Sequence, residues 1–155
     1  MITKMMKMIP LAVAMMVLTG AGACAADNGA LTGPIKAVYA HYLKIQSSLA
    51  KDSMTGVGEN AAAIAKAVHN DASALPATVA TEAEMLANTS DLKSARDAFK
   101  PLSDSLIKYL ADHHVKNAYV EVYCPMAQAS WLQANKKVSN PYMGQTMPDC
   151  GEIRN

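Results

Sequence analysis

The stretch DLKSARDAFKPLSDSLIKYLAD, residues 91–112, carries the clearest periodicity in this chain. Leu92, Ala95, Phe99, Leu102, Leu106 and Tyr109 or Leu110 recur at steps of three and four, which is one apolar face of an α-helix. Asp91 after Ser90 suits an N-cap with an acidic first turn. The spacing predicts a long helix over 91–112. Pro101 lies inside it and should bend it or remove one backbone bond.

Two similar stripes lie upstream. Ile35, Val38, Tyr39, Tyr42, Ile45 or Gln46, and Leu49 predict a helix over 34–51, with Pro34 at a first helical position. After a turn over 52–58, Val57, Ala61, Ile64, Val68, Ala72 and Leu75 predict an Ala-rich helix over about 57–74, stopped by Pro76. A short, weakly patterned helix over 78–87 has Met85-Leu86 as its strong apolar pair. Beyond His114 the texture changes. Tyr119-Val120-Glu121-Val122-Tyr123 is β-branched and aromatic, as in a strand. Pro125, Pro141, Gly144, Pro148 and Gly151 make the rest turn-rich. The expected fold is mainly α: an antiparallel bundle of three to four helices with a short β or irregular C-terminal tail packed across it.

The N-terminus reads as an export signal. Lys4 and Lys7 precede the apolar run Met8 to Leu18, and Ala23-Cys24-Ala25 fits a small-x-small cleavage site. The run is shorter than the roughly 20 residues a membrane span needs. Residues 1–26 are therefore expected to be a signal peptide and 27–155 a single periplasmic domain, with no membrane span after processing. A lipoprotein modified at Cys24 is the alternative, although Ala21 stands where a lipobox usually has Leu. The signal would take Lys4 and Lys7 and no acidic residue, moving the net charge from +1 to −1. That balance makes no electrostatic case for nucleic acid. Of three cysteines and eleven methionines, the mature part would keep Cys124 and Cys150 and five methionines. Met126, Met143 and Met147 lie between those two cysteines.

The tail is distinctive: Tyr123-Cys124-Pro125-Met126-Ala127, Trp131-Leu132, Asn140-Pro141-Tyr142-Met143-Gly144, Met147, and Cys150-Gly151. With Tyr42-Leu43 and the segment Ala98 to Ser103, it resembles a bacterial periplasmic domain family of unknown function. That family occurs alone or fused to the periplasmic adaptor subunits of copper and heavy-metal efflux pumps. The resemblance implies a helical domain that handles copper or a similar soft metal, with an adaptor or efflux-pump subunit as partner. Met143 stands where that family more often has an aromatic residue.

The residues themselves support such chemistry. Thiolates and thioethers select Cu(I). In an extended segment, Cys124 and Met126 would share one face. Met147 and Cys150, three apart around Pro148, could meet in a turn. The candidate metal ligands are Cys124, Met126, Met147 and Cys150, joined by His41 on the first helix and His114 at the end of the long one. The same two cysteines could instead form a disulfide, as is common in exported domains. The alternative function is thus a metal-free, disulfide-stapled envelope interaction module. GxSxG, HExxH, CxxC and Gly-rich phosphate-loop motifs are all missing, so no enzyme is expected.

Overall fold

The computed structural model describes residues 31–115 and 119–154. The expected signal, with Cys24 and the cleavage site, lies outside them. Four helices are followed by a small sheet: α1 Gly33–Leu49, α2 Val57–Asn70, α3 Ala77–Ala87, α4 Leu92–Asp112, β1 Val120–Cys124, β2 Ala129–Gln133 and β3 Glu152–Arg154, with a 3-10 turn at Gly144–Thr146 before β3. The mainly α reading is confirmed. No helix among the described residues is long and apolar enough to cross a membrane.

Each helix buries the stripe its sequence announces. In α1 these are Val38, Tyr39, Tyr42, Ile45, Gln46 and Leu49. In α4 they are Ala95, Phe99, Leu102, Ser103, Leu106 and Leu110. Asp91 caps α4, its carboxylate accepting the Ser94 N–H at 2.9 Å, which satisfies a donor the first turn would otherwise leave open. The helix runs through Pro101, whose ring sits on the exposed face. Helix α2 stops at Asn70, short of the expected 74. The Asp71 carboxylate takes the Ser73 N–H (3.2 Å) and hydroxyl (2.6 Å), a local turn that competes with helix. Helix α3 is more firmly placed than its pattern suggests. Val79, Ala80, Ala83 and Leu86 are buried, and the helix packs against α2.

Neighbouring helices pack in chain order, and α1 closes on α4. Tyr39 donates to the Leu106 carbonyl at 2.7 Å, and the rings of Tyr42 and Phe99 stack at 4.9 Å. The tail is more regular than its prolines and glycines suggest. It forms an antiparallel sheet of order β2-β1-β3 that rests on α4 and α1. Only the first of its strands is legible in the sequence.

Candidate functional site

Strand β2 is an edge of the sheet, and an edge exposes unpaired backbone groups. Here side chains take them. The Leu132 N–H donates to the Tyr42 hydroxyl at 3.1 Å. The Tyr142 hydroxyl lies 2.8 Å from the Ser130 carbonyl and 3.1 Å from the Ser103 hydroxyl. Ser103 in turn lies 2.8 Å from the Tyr42 hydroxyl. A carbonyl only accepts, so the Tyr142 proton goes to Ser130. These contacts link the Leu132 N–H to Tyr42, Tyr42 to Ser103, Ser103 to Tyr142 and Tyr142 to the Ser130 carbonyl. The chain leaves β2, crosses α1 and α4, and returns to β2. Burial pushes the pKa of both phenols up, so they act as neutral hydrogen-bonding groups.

Asn140 and Gly144 fix the next turn. Asn140 is fully buried. Its side-chain oxygen accepts the N–H groups of Tyr142 (2.8 Å) and Met143 (3.0 Å). Its side-chain amide donates to the Cys150 carbonyl at 2.6 Å. Arg96 reaches over from α4 to the carbonyls of Pro141 (2.9 Å) and Leu49 (3.0 Å) and pairs with Asp52. Gly144, with φ of +54°, passes so close to Asp52 and Arg96 that a Cβ would force their paired side chains to move. Gly151 lies close to Val122 and Trp131, which a Cβ would meet at 2.6 and 2.8 Å.

These supports bring the two cysteines together. Cys124 ends β1 and is fully buried; Cys150, just before β3, is partly exposed. Their sulfurs are 2.7 Å apart. Burial pushes the Cys124 thiol up, but hydrogen bonds outweigh it. The Cys150 thiol, the Ala127 N–H, the Asn140 amide and the Met126 N–H all face the Cys124 sulfur and bring its pKa below the ordinary cysteine value. Cys150 is pushed up, chiefly because its proton is held by Cys124, then by burial and by the neighbouring thiolate charge. The two sulfurs share a proton, so they titrate as a pair. Cys150→Ala removes the donor, and the Cys124 thiol should then titrate at higher pH when followed by ultraviolet thiolate absorbance. An unchanged or lower titration would contradict the hydrogen-bonded pairing.

The other candidate ligands are placed differently. The segment after Cys124 is not extended: Cys124 pairs with Ala129, and residues 125–128 form the hairpin turn between β1 and β2. Cys124 therefore points into the core while Met126 stands out on the turn, 66 % exposed. The expected sharing of one strand face is corrected on that ground. Met147 is half-buried, and its carbonyl accepts the Cys150 N–H at 3.3 Å. His41 faces α2, where Nδ1 meets the Asn60 side-chain oxygen at 2.8 Å. His114 ends α4 in the left-handed conformation (φ +50°). Its N–H bonds the Ala111 carbonyl, and that of Val115 bonds Leu110, a helix-terminating pair that Gly usually supplies. Among the described residues no three His, Cys, Asp or Glu side chains form a group able to hold a metal, so neither histidine completes such a group with the cysteines. Asn140, Tyr142 and Ser103 were not expected as parts of the site. The signal for Asn140 was its place before Pro141, where its side chain organises the turn instead of merely permitting it.

A family model described as a protein of unknown function (DUF3347) matches residues 38–118. The chain belongs to this family. The matched span begins in α1, covers α2 to α4 and ends before β1, so it takes in the helices and not the cysteine pair. No curated protein and no solved structure matches the chain.

Proposed function

We propose that this chain is a periplasmic soft-metal protein that takes up Cu(I) at the Cys124–Cys150 pair and buffers it or hands it to an efflux system. The observation that carries the reading is the convergence of the two sulfurs, one buried and held toward its thiolate form, the other partly open to solvent. Thiolates are soft ligands that favour Cu(I) over harder ions. Met126 on the adjoining turn and Met147 three residues before Cys150 are the thioether candidates. The resemblance of the tail to efflux-associated domains supports the adaptor or pump subunit as recipient, and no catalytic step is assigned. Reduced protein titrated with Cu(I) against a competing chelator should bind it tightly. Cys124→Ser should weaken binding by about 100-fold or more, since even outer-shell changes cost about 10–100-fold. Met126→Leu should have a smaller effect, and His41→Ala and His114→Ala none. Binding no tighter than micromolar, or binding indifferent to Cys124→Ser, would sink the proposal.

A second reading is favoured by the 2.7 Å separation of the sulfurs. A disulfide needs little movement from that arrangement, and the chain would then be a stapled, metal-free interaction module of the envelope. Closing the loop between residues 26 apart would stabilise the fold by about 3 kcal/mol. The two readings are redox states of one pair, because oxidised sulfurs cannot ligate as thiolates. Counting free thiols in protein isolated without reductant separates them.

A further inference from the structure

We propose that Cys150 is the sulfur through which the Cys124–Cys150 pair exchanges with an outside thiol, so that the mixed disulfide with a partner forms on Cys150 and not on Cys124. The inference rests on the stapled reading of the pair. It adds the class of partner and the side from which that partner enters.

Access sets the point of attack. Cys124 is fully buried, whereas Cys150, just before β3, is partly exposed. Exchange begins when a thiolate attacks one sulfur of a disulfide, and the sulfur that can be reached is the one attacked. Cys124 belongs to the buried core, which an attacking thiolate would have to open. Cys150 is also held in place by its own backbone. Its N–H donates to the Met147 carbonyl at 3.3 Å, and its carbonyl accepts from the Asn140 amide at 2.6 Å.

The surroundings set the leaving group. When Cys150 is attacked, the S–S bond breaks and its electron pair goes to Cys124. The Ala127 N–H and the Asn140 amide face that sulfur, and the Met126 N–H faces both sulfurs. Negative charge arriving on Cys124 is therefore met by hydrogen-bond donors. On Cys150 it would share the Met126 N–H and be opposed by the adjoining Asp149 carboxylate. The better-stabilised thiolate leaves faster, so access and polarity select the same sulfur.

The partner's thiolate thus bonds to Cys150, and Cys124 departs as a thiolate. A second partner thiolate then attacks the partner sulfur of the mixed disulfide. That step forms a partner disulfide and releases Cys150, which takes a proton from water. The pair gains two electrons and the partner thiols lose two. In reverse, Cys150 attacks a partner disulfide, and Cys124 then closes on Cys150.

The test uses the purified, oxidised chain and two probes. Reduced glutathione is the small thiol. The protein thiol is a Cys-x-x-Cys exchange protein whose second cysteine is replaced by serine. After reaction, free thiols are capped with a maleimide and adducts are located by tryptic mass mapping, since Lys136 and Lys137 lie between the two cysteines. The adduct should be on Cys150 and the cap on Cys124. An adduct from glutathione alone assigns a small thiol as the partner, and one from the protein probe alone assigns a protein thiol. In reduced variants, glutathione disulfide should modify Cys150 in Cys124→Ser at least about tenfold faster than Cys124 in Cys150→Ser, with circular dichroism showing both folded. Adducts on Cys124, adducts spread evenly over both sulfurs, equal rates in the two folded variants, or no adduct from either probe would overturn the proposal. A thiol count before reaction reads the stapled form separately. If the pair stays reduced in air, that reading fails, and the two variants still decide which sulfur a partner reaches.

Discussion

Gly144→Ala should destabilise the protein by about 3 kcal/mol in urea unfolding. Two costs combine. A side chain at φ of +54° is strained by about 1–2 kcal/mol, and the new methyl would occupy space that Asp52 and Arg96 already hold. Overpacking of that kind costs about 1–3 kcal/mol. The substitution should also change the response to acid. The Arg96 guanidinium, then the Gln145 N–H, hold the Asp52 carboxyl below the ordinary carboxylate range. Its contribution is present above the unfolded-state pKa and is lost as pH falls through the lower folded value. With Asp52 and Arg96 pushed apart, the acid side of the stability profile should flatten. A variant as stable as the parent, or one with the same acid dependence, would show that the close approach at Gly144 is not needed.

Asn140→Ala should cost about 4 kcal/mol and also disturb the thiols. The alanine leaves the Cys150 carbonyl and the Tyr142 and Met143 N–H groups without the partner they have in the parent, and each buried group so stranded costs about 1–3 kcal/mol. Asn140→Asp is the sharper probe. It keeps the accepting oxygen but replaces the amide donor with a second oxygen beside the Cys150 carbonyl and the Cys124 sulfur. The donor that helps hold the Cys124 thiol down is gone and a negative charge takes its place, so the thiol should titrate at higher pH and oxidise more slowly with Cys150. Unfolding curves and thiol titrations read the two effects separately. A loss below about 1 kcal/mol for Asn140→Ala would refute this role of the Asn140 side chain, since stranding one such buried group costs at least that much.

The helices were legible because their stripes are local. Leu92 to Leu110 repeat at helical spacing, and that spacing alone says which face is buried. Strand β1 was legible through Val120, Val122 and Tyr123. Strand β2 was not, because what makes it viable is distant: its edge groups are satisfied by Tyr42, 90 residues away in sequence, and by Tyr142. Gln133, a buried polar residue, holds the following loop through the carbonyls of Asn135 (2.5 Å) and Lys137 (2.8 Å). No periodicity announces that. The cysteines were legible as a pair, but the direction of Met126 was not. It depends on where β1 ends, and Cys124 is its last residue. His41 and His114 were plausible as donors only while Asn60 and the backbone at the end of α4 were out of view.

The hydroxyl chain from β2 through Tyr42, Ser103 and Tyr142 joins residues 39 to 90 positions apart. Contacts of that separation form late, because the chain entropy of closing such loops must be lost before they bring any gain. Helices α1 to α4, built from neighbours in sequence, should therefore assemble first and the tail should seat last. Cys124 and Cys150 meet only once that seating is complete. During refolding, their pairing should lag the gain of helical ellipticity, making these two sulfurs a clock for the final step of maturation.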